Sequence, residues 1–558
     1  MMRFNKKNNI VLILSVLTVL SGQSINIHAA APLPDAGSIK RDNIPIPAPL
    51  PKDNATLPQA AEPSDLSQDA TQFTVSQIKV SGATVFSNES LEALVSEYAS
   101  GSHTLGDLQK AAAQITAHYR QAGYFLARTY LPKQSLQDGV VTINVLEGIL
   151  GELKLENNSL ISNDKANAML AKIKQGEPLK ATTSNRALLL VSDLPGVDNL
   201  DARVEPGANT GETNLVTSLS ESRVFSGGLE LDNYGSLYSG RYRVGGNINL
   251  NSPFGYGEQL SARLLISDED LIYGRLGAQV PIGSDGLTLS GGYNRTQYSL
   301  GDTFDPLDAR GNSDTVDLTL RYPFIRSQKL NVYGSLSAEY RKLQDEIRST
   351  NTKADKNAKV GNAAINADWR DALGGGGANQ AGITFSHGDL NIETASTALI
   401  DAVGAKTEGS YSKWNWNLSR QQAVTQKLSA SVQARGQFTS DNLDSAEKFV
   451  LGGPYGVRAY PTGEGSADIG WLASAELRYA FMPQIVASVF YDAGGIEVNA
   501  DKFLTTDNTR DIAGYGLGLS SYYKAFDLRA VAAWRTTGDA VSESNKTPRF
   551  WVNVGYRF

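Results

Sequence analysis

Residues 330–341 decide the fold of this chain, and they read LNVYGSLSAEYR. Every second residue from Leu330 to Tyr340 is apolar, aromatic or glycine, whereas the alternate residues from Asn331 to Arg341 are mostly polar or charged. Successive side chains of a β-strand point to opposite faces, so this strand would have one apolar and one hydrated face. Residues 428–438, LSASVQARGQF, repeat the pattern. A soluble sandwich also alternates, but runs of this length that stay polar along one face favour a transmembrane β-barrel.

The same period of two recurs along the C-terminal part of the chain. Sixteen strands are predicted, near 223–234, 241–251, 258–267, 271–281, 286–298, 313–323, 329–343, 358–371, 377–390, 408–419, 424–439, 466–481, 484–495, 511–523, 525–536 and 548–558. Short turns such as 251–257 and 324–328 alternate with long polar loops such as 300–312 and 441–465. An even strand number with loops of alternating length is the outer-membrane arrangement. We therefore expect residues 221–558 to form a sixteen-stranded antiparallel membrane barrel.

The end of the chain fits a last barrel strand. Residues 550–558 read FWVNVGYRF, and apolar side chains occupy every second position up to the final Phe558. A buried strand of a soluble sheet is the alternative. Val554, Tyr556 and Phe558 resemble the terminal signal by which outer-membrane barrels are recognised for assembly.

Composition limits the function classes. The chain has no Cys, so disulfides and thiolate metal sites are excluded, and its net charge of −7 argues against a nucleic-acid-binding protein. The 4 His residues show no metal-ligand spacing. We find no phosphate-binding loop and no nucleophile elbow, so we predict neither an enzyme nor a cofactor or metal site.

The N-terminal region is predicted to be a signal followed by a spacer. Residues 1–30 combine a basic start, an apolar core at 10–20 and small residues near Ala29, which is typical of a secretory signal. That core is too short for a membrane anchor. Residues 31–71 are rich in proline and favour an extended linker. Ser38–Asn43 is its one candidate helix, and either a barrel plug or an unfolded spacer is compatible with it.

Two mixed modules are expected before the barrel. Residues 72–148 follow a β-α-α-β-β order, with a first helix capped at Asn88 and a second that ends at Gly123. Residues 149–220 repeat the order of strand, two helices and two strands less clearly. A sheet edge in such a module can bind an extended peptide as an added strand.

A glycine-rich segment between two predicted strands differs from an ordinary solvent loop. Residues 449–460 read FVLGGPYGVRAY, which is unusually apolar. Such a segment can fold back into the barrel with Arg458 at its tip. On the thirteenth strand, Asp492 should point into the lumen, because a carboxylate facing lipid is costly. Phe490 and Gly494 then share its face.

The segment Val457-Arg458-Ala459-Tyr460 resembles the Val-Arg-Gly-Tyr tetrad of the two-partner secretion transporters, the haemolysin secretion/activation family of the Omp85 superfamily. Ala459 replaces the family glycine, a mild change unless a positive φ is needed. The resemblance extends to a Phe-x-Asp-x-Gly motif, here Phe490, Asp492 and Gly494. It implies an ion pair between Arg458 and Asp492, since a guanidinium can bind a carboxylate through two parallel hydrogen bonds. The predicted inner-loop motif is Gly456, Val457, Arg458, Ala459 and Tyr460.

Residues 73–148 resemble a polypeptide-transport-associated (POTRA) domain. The resemblance is carried by Gly123, Tyr124, Pro132 and Gly148, within runs such as YRQAGY and LP. Residues 149–220 resemble the second such domain of the same transporters, and residues 232–236 and 251–260 resemble their first barrel strand and turn.

These resemblances imply an outer-membrane transporter of a Gram-negative bacterium, with its POTRA domains in the periplasm. It would recognise a large exoprotein (an adhesin, a cytolysin or a contact-dependent inhibition toxin) and pass it unfolded through the barrel without ATP. Expected partners are that exoprotein, outer-membrane lipid and, during biogenesis, the barrel assembly machinery; a monomer is expected. The alternatives are an Omp85-type assembly factor, a passive porin or a barrel lipase or protease.

Overall fold

The structure is a computed structural model that describes residues 33–42, 55–56, 71–135, 138–543 and 546–558. The predicted signal at 1–30 and most of the proline-rich stretch lie outside these residues. Two short elements come first: helix α1 at Ala36–Asp42 and strand β1 at Ala55–Thr56. The candidate helix of the linker is thus present and begins slightly earlier than predicted.

The first module has the expected mixed order. Its elements are β2 Gln72–Val75, β3 Gln77–Ser81, α2 Asn88–Leu94, β4 Gly101–Thr104, α3 Leu105–Gln121, β5 Arg128–Tyr130 and β6 Val140–Leu146. Strand β6 lies between β3 and β5, and the two helices cover this sheet with a buried apolar core that includes Leu91, Ile115 and Ile143. The predicted cap was wrong by one residue: Ser87 caps α2, and its hydroxyl accepts the Ser90 N–H at 3.2 Å.

The second module is a four-stranded sheet covered by two helices. Its elements are β7 Ile149–Asn157, α4 Asn163–Leu170, α5 Ala181–Ser192, β8 Val197–Pro206 and β9 Glu212–Glu221. The strand order is β1-β8-β9-β7, so β1 is added from the linker, parallel to the edge of β8. Leu170, Leu188 and Leu200 are among the buried core residues.

The rest of the chain forms a closed barrel of sixteen strands, as predicted. They are β10 Phe225–Asp232, β11 Arg243–Asn251, β12 Gln259–Ser267, β13 Ile272–Ile282, β14 Leu287–Ser299, β15 Ala309–Arg326, β16 Leu330–Ile347, β17 Thr352–Asp371, β18 Gly377–Ile392, β19 Gly409–Ala423 and β20 Leu428–Thr439, then, after the short strands β21 Phe449–Val450 and β22 Ser466–Ala467, β23 Ile469–Met482, β24 Ile485–Glu497, β25 Thr509–Tyr523, β26 Phe526–Arg535 and β27 Arg549–Arg557. Each barrel strand is antiparallel to its neighbours, and β27 pairs with β10 to close the cylinder.

The alternation found in the sequence separates the two faces of the wall. Leu336 on β16 is 63% exposed, as a lipid-facing side chain must be when no lipid is present. Arg341 on the other face of the same strand is buried inside the cylinder. The polar face therefore lines the lumen.

Several strands extend further than the alternation indicates. Strand β17 begins at Thr352 rather than near 358, and β15 begins at Ala309 within the predicted long loop. In the extension of β15 the outer face is polar, as with Arg310 and Glu346, whose side chains lie 2.6 Å apart. Backbone pairing continues beyond the apolar band, but the hydrophobic period that reveals a strand in a sequence ends there.

The second module lies against the short turns of the barrel. The Ser162 N–H donates to the carbonyl of Gly255 at 2.9 Å, and the Lys165 ammonium donates to that of Gly283 at 2.6 Å. Arg326 binds both oxygens of Asp193 at 2.7 Å. The short turns thus face the modules, and the long loops open on the opposite side.

Two helices accompany the barrel. Helix α1 lies inside it, where Ala36 and Ile39 pack on lumen-facing residues that include Tyr273 and Leu343. Helix α6, Ala395–Val403, lies in the long loop between β18 and β19. Among the parts of the chain that the structure describes, none of the helices has the length and apolar character needed to cross a bilayer.

Candidate functional site: a buried arginine inside the barrel

The segment between β20 and β23, residues 440–468, is here called the inner loop. It enters the lumen as a narrow hairpin whose two legs pair through β21 and β22. Leu451, Val457 and Tyr460 are fully buried in an apolar cluster that also contains lumen-facing wall residues such as Leu472. The predicted inward fold of this segment is therefore present, and Arg458 lies near its tip.

Arg458 binds Asp492 in the fork-like arrangement predicted from the sequence. Its Nε is 2.9 Å from Oδ2 and its Nη2 is 2.9 Å from Oδ1. The backbone N–H of Arg458 adds a third hydrogen bond to Oδ2 at 3.1 Å. Both side chains are buried, so the pair fixes the position of the loop tip against β24.

A second carboxylate, which sequence reasoning missed, completes the site. Arg458 Nη1 donates to Glu476 on β23 at 2.8 Å, and Arg478 binds the other oxygen of Glu476 at 2.8 Å. Ser474 donates to Asp492 at 2.7 Å. The charges alternate along Asp492, Arg458, Glu476 and Arg478, so no charge of this row is left uncompensated. The alternation of side chains along β23 places Glu476 on the lumen face. Only the pairing register between β23 and β24 brings it next to Arg458.

Phe490 and Gly494, the other members of the wall motif, flank the pair. The guanidinium carbon of Arg458 lies 3.3 Å from the centre of the Phe490 ring, which is a cation–π contact. Gly494 leaves space for the loop, because a Cβ there would lie 2.6 Å from Leu451. Phe490 and Asp492 thus both hold Arg458, and Gly494 leaves room for Leu451.

The replacement of the family glycine by Ala459 is accommodated by the wall. Ala459 is not among the residues with positive φ, so the backbone at this position does not require glycine. Its methyl group faces Gly514 on β25, where a Cβ would lie only 2.4 Å away. Within the loop, a Cβ on Gly456 would lie 1.9 Å from the Leu451 carbonyl oxygen, so the tight turn before Val457 needs glycine.

Tyr460 and Trp551 attach the tip to the last strands. The Tyr460 hydroxyl donates to the carbonyl of Thr537 and lies 3.1 Å from that of Gly538. The indole N–H of Trp551 on β27 donates to the carbonyl of Arg458 at 2.7 Å. The tip therefore contacts strands on both sides of β24.

Further ion pairs hold the legs of the inner loop, among them those of Glu464 and Lys448, and the sequence carried no signal for them. Glu464 is fully buried, 2.5 Å from Arg510, and also accepts the backbone N–H groups of Val541 and Ser542 at 3.0 and 2.9 Å. Lys448 lies 2.5 Å from the buried Asp468.

Helix α1 is attached to the inner loop and to the wall. Lys40 pairs with Glu339 on β16, and Arg41 donates to the Ser445 carbonyl at 2.8 Å and to Ser466 Oγ at 2.9 Å. The N-terminal Ala36 N–H donates to Asp345 at 2.8 Å. The helix and the inner loop therefore lie in the lumen together and contact each other.

Three of the four predicted POTRA residues meet where the two modules join. Gly123 has φ +94°, and its carbonyl accepts the N–H of Ala181 at 2.8 Å. Lys180 lies 5.7 Å from the ring centre of Tyr124, and the Gly148 carbonyl accepts the Leu179 N–H at 3.2 Å. Pro132 follows β5, and none of these junction contacts involves it.

Next to this junction, Glu147 is a buried hydrogen-bond acceptor. Burial by itself raises its pKa, but Thr84, the Tyr119 hydroxyl at 2.7 Å and the Val85 N–H at 2.9 Å donate to the carboxylate and hold its pKa below the usual range. Burial and the same contact raise the pKa of Tyr119. Glu147 thus fixes the segment before α2 to the end of β6.

The C-terminal residues Val554, Tyr556 and Phe558 lie on the outer face of β27. Val554 pairs with Leu231 and Tyr556 with Leu229 of β10, at the closure of the cylinder. The Tyr556 ring also lies 4.9 Å from that of Phe526. These side chains form a lipid-facing aromatic strip where the first and last strands meet.

The arrangement around Arg458 is suited to positioning a loop. All carboxylates of the charge row are already bound by arginines. Within the described residues no group of three or more His, Cys, Asp or Glu side chains is close enough to bind a metal ion. What the site can do is hold, or release, a segment that blocks the barrel.

Comparisons with known proteins agree with this architecture. The sequence profile described as haemolysin secretion/activation protein ShlB/FhaC/HecB matches residues 211–521, and that of the ShlB-type POTRA domain matches residues 73–148. The heme/hemopexin transporter protein HuxB of Haemophilus influenzae is 26% identical over 478 residues, which cover 84% of this chain and 83% of HuxB.

Solved structures share the fold. CdiB from Escherichia coli superposes with a TM-score of 0.72 at 19% identity and covers 89% of this chain and 93% of CdiB. BamA from Haemophilus ducreyi, in a form lacking POTRA domains 1–3, gives a TM-score of 0.51 at 15% identity and covers 87% of this chain and 100% of that one.

Proposed function

The chain belongs to the haemolysin secretion/activation protein family ShlB/FhaC/HecB, and on this premise we propose that it recognises a large exoprotein in the periplasm and passes it unfolded through its barrel. Family membership and the fold make it a two-partner secretion transporter of the outer membrane with a periplasmic POTRA region. The relatives are named a heme/hemopexin transporter, an outer membrane transporter and a hemolysin transporter. For this chain we propose an adhesin, a cytolysin or a contact-dependent inhibition toxin as the class of cargo.

The observation that carries the proposal is the filled lumen. The inner loop and α1 occupy the cylinder and are bound to its wall through polar contacts such as Arg458–Asp492 and Lys40–Glu339. A passive porin needs an open aqueous path, so this occupancy counts against that alternative. A transporter, by contrast, needs a closed resting state that opens only for its cargo.

Recognition is assigned to the POTRA region because its sheets have edges that accept extended chain. The second module already does so: Ala55 and Thr56 of the linker pair in parallel with β8. An unfolded exoprotein segment can pair with an edge such as β3 or β5 of the first module in the same manner. The resulting backbone hydrogen bonds depend little on the cargo sequence.

No ATP is needed in this proposal, and the chain is proposed not to be an enzyme. The free energy for export would come from folding of the exoprotein outside the cell, which prevents backsliding. Because the Arg458–Asp492 pair is buried, it would separate only when the cargo displaces the inner loop and water reaches both groups. A barrel lipase or protease would need an activated nucleophile, for which the sequence offers no motif.

In this proposal the chain divides into a signal peptide (1–30), a proline-rich linker with a short plug helix (31–71), two POTRA domains (72–148 and 149–220) and the barrel (221–558). The transporter works as a monomer surrounded by outer-membrane lipid. Its C-terminal residues Val554, Tyr556 and Phe558 are presented to the barrel assembly machinery during biogenesis.

Deletion of residues 72–148 tests the recognition role. Proteins in the medium of cells that carry the chain, lack it or carry the deletion variant are compared by mass spectrometry. We expect one large polypeptide that requires the chain and disappears with the deletion. Resistance of the barrel to unfolding in cold detergent shows that the deletion variant is still assembled. Continued secretion by this variant would contradict recognition through the first module.

The same cells distinguish a dedicated transporter from the second candidate, an outer-membrane assembly factor. This candidate is considered because the barrel has the same fold as BamA. Depletion of an assembly factor lowers the amounts of many outer-membrane proteins. Depletion of a dedicated transporter leaves them unchanged and removes the exoprotein alone.

A further inference from the structure

Helix α6 in the loop after β18 presents its apolar side to water. Leu399, Ile400 and Val403 are 72%, 71% and 86% exposed, and they lie on one face of the helix at spacings of three and four residues. The small Ala398 instead packs inward, against a cluster that contains Leu390 and Leu443. This is the reverse of a surface helix in a globular protein, which buries its apolar stripe.

Hydrogen bonds fix this orientation. The Asp401 carboxylate accepts the N–H and the hydroxyl of Thr407 at 3.0 and 2.7 Å and the N–H of Glu408 at 2.9 Å. Because Asp401 is tied to the segment that leads into β19, the helix cannot rotate its apolar side inward without losing these bonds. The exposure of the apolar side of α6 is therefore fixed by the hydrogen bonds of the loop.

A neighbouring loop enlarges the apolar surface. Phe503 and Leu504, in the segment between β24 and β25, are also exposed, and Phe503 lies next to Gly404 at the end of α6. Asn442 of the inner loop joins the two loops through hydrogen bonds of 2.9 Å to the carbonyls of Ala405 and Asp501. We call Leu399, Ile400, Val403, Phe503 and Leu504 the exit patch.

The exit patch lies beyond the lipid. On β18 and β19 the lipid-facing aromatic pair Phe385 and Trp414 is followed toward the loop by the outward, exposed Asp389 and Ser410. From Phe385 to the end of β18 at Ile392 the strand continues for about 23 Å at roughly 3.3 Å per residue. The inward contact of Ala398 with lumen-facing residues places α6 at the rim of the barrel on the side of the long loops, where an exported chain would leave under the proposed function.

We propose that the exit patch binds apolar segments of the unfolded exoprotein as they emerge from the barrel. This inference rests on the transport function proposed above. An unfolded chain exposes apolar side chains, and an apolar surface holds them without hydrogen-bond geometry and so without requiring one sequence. Large exposed apolar patches on soluble surfaces mark sites of protein interaction. Contact at the mouth keeps the emerging segment from sliding back before it folds.

A photoreactive benzoyl-phenylalanine in place of Ile400 tests the contact in living cells. During export we expect a covalent adduct with the same exoprotein whose secretion depends on this chain. The matched control carries the probe in place of Lys359, which is exposed on β17 but belongs to the polar outer wall, and should give no such adduct. An adduct with lipopolysaccharide or a second copy of the chain, or no adduct during normal export, would overturn the proposal.

A triple variant, Leu399→Ser, Ile400→Ser and Val403→Ser, tests the consequence. We expect the rate at which the exoprotein appears in the medium to fall at least about threefold, because most of the apolar contact area is removed. The control Ala395→Ser with Ala402→Ser adds polarity to the same helix without removing large apolar side chains, and should export normally. Should the triple variant fail to assemble, the adduct at position 400 decides the question. Unchanged export by an assembled triple variant, with export still lost on deletion of 72–148, would refute the exit patch alone.

Discussion

The inner loop and helix α1 share the lumen but are held there by different forces. The inner loop buries Leu451, Val457 and Tyr460 in an apolar cluster and adds the buried Arg458 pair. Helix α1 has only seven residues; it buries Ile39 and the small Ala36, and its longer side chains make polar contacts, as at Lys40. One occupant is packed like a protein core, and the other is attached mainly by polar contacts.

This difference indicates which occupant leaves more easily. Full burial of a large apolar side chain contributes about 1.5–3 kcal/mol, and water offers no substitute for that contact. Charged groups that lose a partner can be hydrated instead, so an accessible ion pair contributes only about 0–1 kcal/mol. We therefore expect α1 to be displaced with less work than the inner loop, which would move only when its wall contacts are replaced.

The largest effect is expected from Asp492→Ala, which removes the main anchor of the inner loop. Arg458 would remain buried with Glu476 as its one remaining carboxylate partner, so the barrel should lose about 3 kcal/mol of stability, and secretion should be abolished. Guanidinium unfolding in detergent and export assays measure the two effects. The matched control is Asp317→Ala, which breaks a bidentate pair with Arg275 on the lumen wall, away from the inner loop. If that control also abolishes secretion, the Arg458 site has no special role.

Gly514→Ala tests how closely the loop tip fits the wall. The new methyl group would overlap that of Ala459, so we expect a loss of about 1–3 kcal/mol. Adding Ala459→Gly removes this overlap but leaves the new Cβ 2.8 Å from the carbonyl oxygen of Trp534, so it should restore only part of the stability in the same unfolding assay. Absence of any rescue would mean that the inner loop does not rest against β25 as described.

A smaller and local loss is expected from Glu147→Gln in the first module. The variant keeps the shape but weakens acceptance from Thr84, Val85 and Tyr119, which should cost about 1–2 kcal/mol. The peptides of residues 73–148 in the full-length protein should then exchange their amide hydrogens faster, while those of the barrel remain unchanged.

Lowering the pH should weaken the hydrogen bonds of Glu147 in the wild-type protein. The pKa of Glu147 is lower in the folded than in the unfolded state, so its contribution is complete above the ordinary glutamate pKa and is lost as the pH falls through the folded-state value. Protection of residues 73–148 should therefore decrease on acidification, and the decrease should be smaller in Glu147→Gln. Equal decreases in both proteins would contradict this assignment.

The smallest effect on stability is expected from Lys40→Ala combined with Arg41→Ala in α1. Arg341 continues to bind both oxygens of Glu339 at 2.7 Å, whereas Asp42 loses its ion-pair partner, Arg41 at 3.1 Å, so the cost should be about 1 kcal/mol. The loosened helix should nevertheless raise the ion conductance of the barrel in planar bilayers. Lys110→Ala, which removes an exposed ion pair of the first module, is the control and should leave conductance unchanged.

The sequence predicted those features that repeat or that resemble a family motif. The sixteen strands follow from the alternation of residues such as those around Leu336, and the ion pair of Arg458 with Asp492 follows from two short motifs. It did not predict Glu476, Glu464 or Gly514 as partners of the inner loop. Their positions depend on the register of neighbouring strands and on the path of a nonrepetitive loop, neither of which has a periodic signal.

The full length of strands β15–β18 and the position of α1 inside the barrel could not be predicted from the sequence either. Above the lipid the outer face of a strand meets water and becomes polar, so the alternation weakens although pairing continues, as between Arg310 and Glu346. Helix α1 is too short to have a clear apolar period, and Lys40 and Arg41 resemble solvent-exposed residues until the lumen partners are known.

The pairing of β1 with β8 keeps helix α1 connected to the second module even when the helix leaves the lumen. Asp42 ends α1 inside the barrel and Ala55 begins β1 on the second module, so residues 43–54 connect them with a reach of at most about 45 Å. A helix displaced from the lumen would remain at an effective concentration on the order of millimolar near its site. Resealing would then be intramolecular, with a rate that does not depend on the number of transporters in the membrane, and each molecule would close behind its own cargo.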